Sequence, residues 1–139
     1  MFTLVTEGGR LVIVRLDSGD DILQSICSAC AQHDVKHGVI LGALGSIESY
    51  HIHIVETTDM PPRDVFVRND GPFDILSLTG LILAGRVHAH ITFSNTDKAL
   101  GGHLEEGCRV LSFGVVTLLE TPDTDLTGWD RIGRLTADQ

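Results

Sequence analysis

Three histidines carry the chemistry most open to this sequence. His88 and His90 stand two residues apart in the stretch RVHAHITFSNTDKALGGHLEE (residues 86–106), and His103 follows behind Gly101 and Gly102. On a strand, side chains alternate, so both imidazoles of the pair leave the same face with Cβ atoms about 6–7 Å apart. One ion can bridge that gap if the rings lean inward, while Ala89 faces the other way and can pack. Ser94, Asn95, Thr96 and Asp97 form a turn signal that can fold the chain back beside the strand. Gly101 and Gly102 then allow close backbone approach before His103 is presented. Three imidazoles and an open position make a zinc-type site, and imidazole equally suits iron, nickel, cobalt or copper. Water on such an ion can reach a pKa of about 7 and attack an ester or amide. Glu105 and Glu106 are candidates to orient the ligands or carry a proton; Asp97 and Glu56 are weaker ones. The same spacing also suits histidines that only hydrogen-bond their neighbours or face a protein interface, and spacing alone leaves these open.

Other motifs are weaker. His51-Ile52-His53 repeats the two-residue spacing, but no third donor follows nearby, so it reads as an exposed polar pair on a half-buried strand. Cys27 and Cys30 form a CxxC. A redox pair sits at a helix start, where the dipole lowers a thiol pKa; these two fall mid-helix on the apolar stripe and read as buried structural cysteines. GVILGALGS lacks the GxGxxG order and following helix of a dinucleotide site, and there is no phosphate-binding GK[ST].

The elements that must position these groups follow from periodicity. Residues 2–6 and 11–16 read as strands joined in a hairpin by the Gly8-Gly9 turn. Ile22, Leu23, Ile26, Cys27 and Cys30 lie on one stripe of a helix over about residues 21–32. Strands are expected at 39–56, 73–80, 87–93 and 108–120. Residues 57–71 read as loop or edge, with a short edge strand at 65–67, because Pro61 and Pro62 deny the ladder its donors. Residues 98–106 read as a loop. In the strand at 73–80, Asp74, Leu76 and Leu78 share one face. The result is an α+β domain: a mixed, largely antiparallel sheet with one main covering helix. Residues 1–120 form the single domain, and 121–139 form a tail packed on it through Leu126, Trp129, Ile132 and Leu135.

Composition narrows the class. With 139 residues, 42% apolar, the chain can bury a core without a structural metal. Nineteen acidic against ten basic residues give a net charge of −9, which opposes a nucleic-acid face. Three cysteines do not make a secreted disulfide scaffold. No apolar run reaches membrane-spanning length and no leader pattern is visible, so no membrane partner and a cytoplasmic location are expected. Apolar strands in a small domain leave edges that self-association would close.

GVILGALGSIES (38–49), FDILSLTG (73–80), VHAHITFSNTDKALGGHLEEGCRV (87–110) and the apolar strand ending at Glu120 together resemble the PPC domain, the "plants and prokaryotes conserved" family also found in plant AT-hook nuclear proteins. The resemblance covers roughly residues 3–120. It implies a mixed α/β domain assembled as a homotrimer. In stand-alone prokaryotic members it implies a metal site, usually assigned as zinc, on the histidines of the HxH and GGH motifs; here these are His88, His90 and His103. The cofactor implied is zinc or another divalent transition metal, and the partner beyond self-association a small-molecule ligand. The resemblance leaves the activity undefined: a metal-dependent enzyme acting on a small metabolite, a DNA-associated regulatory protein, or a non-catalytic oligomeric interaction domain. No Arg-Gly-Arg hook is present, so the DNA role of the plant proteins does not carry over. Asp74 stands where the family commonly has glutamate, and Arg63 or Arg68 corresponds to the family's arginine before that strand.

Overall fold

The computed structural model describes residues 3–135, with six strands and one helix among them: β1 (Leu11–Asp17), α1 (Ile22–Gln32), β2 (His37–Val55), β3 (Asp64–Leu83), β4 (Arg86–Ser94), β5 (Ala99–Leu104) and β6 (Arg109–Glu120). All pairings are antiparallel, in the order β1-β6-β2-β3-β4-β5, and β5 pairs a second time, with β2. The mainly antiparallel sheet with one helix is the architecture expected.

The helix begins where its cap dictates. Asp21 has extended backbone, and its Oδ1 accepts from Gln24 N, satisfying a donor that has no partner within the helix. Asp21 Oδ2 also accepts from Gly107 N, tying the helix start to the segment before β6. Ile22, Ile26 and Cys30 are buried one turn apart and pack onto the sheet. In the same core, the rings of Tyr50, Phe73 and Phe93 meet at centroid distances of 4.8–5.4 Å.

Four expectations change. Residues 3–10 form no strand, and Phe2 lies outside the described residues, so the N-terminal hairpin is absent; β1 pairs with β6 instead, from Leu11 opposite Leu119 to Asp17 opposite Phe113. The turn residues Gly9 and Arg10 serve the far end of β6: Glu120 N donates to Arg10 O.

Of the stretch read as loop with a short edge strand, residues 57–63, with Pro61 and Pro62, lie outside the strands as expected, but 64–71 are the first part of the 20-residue β3. Pro72 is tolerated because a bulge sits there. Between the pairs Ile47–Phe73 and Ser49–Asp70, β3 carries one residue more than β2, which takes the proline out of the ladder. A bulge of β2 against β6, between Ile47 and Ser49, puts Ile47 in the core with Tyr50 and Ile52, leaving His51 and His53 on the outer face without it.

A second bulge, between Ile75 and Ser77, exposes Leu76 and buries Leu78, so these two do not share a face.

Residues 98–106, read as a loop, are mostly strand. β5 lies between β4 and the end of β2, closing β2, β3, β4 and β5 into a ring. Gly101 and Gly102 are what let it in. A Cβ on Gly102 would lie 2.6 Å from His53 O, and one on Gly101 2.9 Å from Ile91 O.

After β6 the chain returns to the start of β2. Thr121 N donates to His37 O, and His37 Nδ1 accepts from both Ala84 N (3.3 Å) and Leu126 N (3.2 Å).

Two outcomes follow. Gly102→Ala drives a methyl into backbone and is expected to cost about 1–3 kcal/mol in urea unfolding, whereas Gly42→Ala, with open space at its Cβ and no positive φ, leaves stability near wild type. At Glu120 the Arg10 guanidinium makes two hydrogen bonds at 2.7 and 2.8 Å and holds the carboxyl below its ordinary 4.5. A depressed acid stabilises the fold above the unfolded value and loses that contribution as pH falls through the folded one. Glu120→Gln therefore lowers the urea midpoint at pH 7, and the gap to wild type closes as the pH is brought below 4.5.

Candidate metal centre

The alternation of β4 decides the orientation of the histidine pair. Val87, Ala89, Ile91 and Phe93 are buried, so His88 and His90 must face outward together. His90 stands opposite His103 on β5, and His103 stands opposite His53 on β2. Three imidazoles thus form a cross-strand row, with His88 one step along β4. Ring centroids lie 4.2 Å apart for His53–His103, which stack, 4.6 Å for His88–His103, 5.8 Å for His90–His103 and 5.7 Å for His88–His90. His103 is the centre of the group. Phe66 extends the row beyond His53 at 5.2 Å.

Carboxylates stand at the margins. Glu105 Oε1 is 2.6 Å from His53 Nδ1 and 3.4 Å from His103 Nδ1. Asp130 Oδ2 is 2.9 Å from His88 Nδ1 and 2.6 Å from Arg86 Nη2. Asp64 Oδ2 is 3.9 Å from His53 Nε2. Among the described residues, the set whose ligand atoms all lie within 4.8 Å of one another is His53, His103 and Glu105. His103 therefore belongs both to the expected trio and to this second set.

The electrostatics favour the neutral ring at His103 and His90. Desolvation, then the neighbouring imidazoles of His53 and His88, hold His103 below the ordinary histidine value of 6.5, against an opposing pull from Glu105. His90 is lowered by desolvation and then by His88 and His53. Burial disfavours the carboxylate of Asp130, but the hydrogen bonds from His88 and Arg86 outweigh it and leave its pKa below the ordinary Asp value. Neutral imidazole is the ligating form. The Nδ1 of His103 is also buried and lacks a hydrogen bond in spite of its nearness to Glu105. Such an atom in a nest of lone pairs and carboxylates is what a divalent cation would satisfy, and the donor set of imidazole and carboxylate suits zinc and its neighbours. The residues fit a metal.

The other sequence candidates lie elsewhere. Glu106 reaches the helix, where Gln24 Nε2 donates to it at 3.3 Å. Glu56 pairs with Arg63 at 2.7 Å, and Asp97 sits in the β4–β5 turn. Arg68 stands opposite His51 on the paired strand. His51 Nδ1 meets Glu106 O at 2.8 Å, outside the cluster. His53 was the residue sequence reading passed over, because its partner in register lies fifty positions away on another strand. The one signal available was its spacing, which repeats that of His88 and His90.

The family model for the Plants and Prokaryotes Conserved (PCC) domain matches residues 4–122. The chain belongs to this family. The PCC fold recurs in solved structures. A plant- and prokaryote-conserved protein from Pyrococcus horikoshii is 23% identical, with a TM-score of 0.75 and coverage of 90% of this chain and 87% of that one. A metal-containing protein from Archaeoglobus fulgidus is 25% identical, with a TM-score of 0.75 and 87% of each chain covered. Among curated proteins, the bifunctional protein GlmU of Synechococcus sp. (strain JA-2-3B'a(2-13)) is 26% identical over 115 residues, 82% of this chain and 17% of that protein. The chain thus spans under a fifth of the length of the curated relatives it matches. No helix among the described residues is long and apolar enough to cross a membrane.

The cysteines of this PCC domain take no part in the cluster. Burial pushes Cys30 and Cys108 up to about 11 and raises Cys27, and no thiol is positioned as a nucleophile. Alkylation of native protein at neutral pH should be slow and confined to the half-buried Cys27, with Cys30 and Cys108 modified only in denaturant. Rapid native labelling of either buried thiol contradicts this placement.

Proposed function

We propose that this protein is a metal-binding PCC-domain protein whose ion is held by His88, His90 and His103, with His53 and Glu105 at its border. The observation that carries the reading is the buried, unpartnered Nδ1 of His103 at the centre of four imidazoles. Glu105, expected beside the ion, can either accept the proton of His53 Nδ1 or share the ion with His53 and His103. The likeness to a metal-containing archaeal protein supports the same reading. Zinc or another divalent transition metal suits these donors, and when bound would polarise a ligand's oxygen or lower the pKa of a water. A small oxygen-bearing molecule is the ligand such a site takes.

The protein is also proposed to self-associate, as a trimer by family likeness. Leu41, Leu44, Leu76, Leu111 and Phe113 are exposed on the adjacent strands β6, β2 and β3, an apolar area that a second copy would cover. Residues 1–120 are taken as the domain and 121–139 as a tail on it, in the cytoplasm. A DNA-associated role draws on family membership and is opposed by the charge of −9.

The test is elemental analysis of untagged protein prepared without chelator. Wild type is expected to carry near-stoichiometric metal and His103→Ala almost none, while His33→Ala, at the exposed helix end, retains it. The double variant His88→Ala/His90→Ala separates the two donor sets: it loses the metal if these residues hold it, and keeps it if His53, His103 and Glu105 suffice. Equal metal in wild type and His103→Ala ends the reading.

A further inference from the structure

We infer that Asp130 is a positioning residue for the metal centre, setting the tautomer of His88 from a tail that lies beyond the residues matched by the family model. The inference rests on the metal-binding reading above.

Asp130 Oδ2 lies 2.9 Å from His88 Nδ1. A carboxylate only accepts, so Nδ1 must carry the proton, and a neutral ring then keeps its lone pair on Nε2. That ring sits against His103 and His90, at 4.6 and 5.7 Å. A histidine that donates one N–H to a carboxylate while its other nitrogen faces a donor cluster is the usual arrangement of a metal-bound imidazole. Asp130 is well sheltered, its side chain 14% exposed, against 58% for Arg86 and 32% for His88. Arg86, at 2.6 Å, shares the same carboxylate oxygen and neutralises the charge brought beside the cluster.

The tail is built to deliver this group. Leu126 is buried and its N–H donates to His37 Nδ1. Trp129 N donates to Leu126 O at 3.1 Å and Arg131 N to Gly128 O at 3.0 Å, so Asp130 sits inside a hydrogen-bonded turn. Gly128 has φ +79, a left-handed conformation that suits glycine. The family model ends at residue 122, eight positions before Asp130. Glu105 stands in a comparable relation to His53, but from within the matched segment. The orientation of His88 is thus a contribution of this chain's own tail.

Two measurements on full-length protein decide the matter. Imidazole 15N shifts of metal-free protein are expected to show His88 as the Nδ1–H tautomer in wild type, reverting toward Nε2–H in Asp130→Ala. Competition with a chromogenic chelator for Zn2+ is expected to show Asp130→Ala binding about 10–100-fold more weakly. Asp130→Asn, which can still accept the bond but carries no charge, should fall between. Arg86→Ala should keep the His88 tautomer. Thermal unfolding of the metal-free variants controls for a merely structural effect. A His88 tautomer unchanged in Asp130→Ala, or wild-type Zn2+ affinity in that variant, overturns the inference and leaves the metal reading standing. Wild-type protein that takes up neither Zn2+ nor another divalent transition metal overturns the metal reading itself, and the role given to Asp130 with it.

Discussion

The contact on which the site depends is a backbone one: β5 lying against the end of β2 at Gly102. Two strands can pair there only because nothing projects from Gly102 toward His53 O. That pairing closes the ring of β2, β3, β4 and β5 and fixes two registers at once, His103 against His53 and His103 against His90. Without it, His103 would be a loop histidine near a strand pair. With it, His103 is a fixed post between two others, and its stacking on His53 follows from the 4.2 Å separation that adjacent strands impose.

Crowding imidazoles has an electrostatic consequence. Burial makes protonation of His103 and His90 harder, and the neighbouring imidazoles add to this. These two rings are thereby held toward the neutral, ligating form. The carboxylates at its margins come from three places: Glu105 just after β5, Asp64 at the start of β3, and Asp130 in the tail. Each meets a histidine nitrogen. This suits a protein whose negative charge would draw cations toward it, and the Arg86–Asp130 pair keeps that charge from accumulating unopposed.

The rest of the fold serves as a rigid mount. Alternation in β4 buries Val87, Ala89, Ile91 and Phe93, so His88 and His90 cannot turn inward without exposing the core. The two bulges in β3 do equivalent work further along. One removes Pro72 from the ladder and the other resets the face between Ile75 and Leu78, so that a strand of 20 residues can bend around the barrel while keeping apolar residues inside. Helix α1 caps the core and contributes nothing to the cluster; its cysteines behave as small apolar side chains.

Much of this was legible in the residues. The helix and its buried stripe follow from local rules that act within one or two turns. The outward pairing of His88 and His90 follows from strand alternation, and the turn at 94–97 from its own side chains. His103 was legible from the turn and the glycine pair before it, and the family resemblance through HxH and GGH pointed to the same residue. What the linear pattern did not contain was register. A bulge shifts alternation by one residue without any marker beyond a glycine or proline, so Leu76 and Leu78 were placed on one face and are on two. Strand partners fifty residues apart are chosen by backbone fit and shared burial, which is why β1 paired with β6 rather than with the segment before it, and why residues 98–106 became a strand. His53 and Asp130 entered the site by the same route. The sequence by itself determined which groups could ligate and which local elements would carry them; only the tertiary structure decided which of them meet, because meeting depends on the long-range pairing that Gly102 permits.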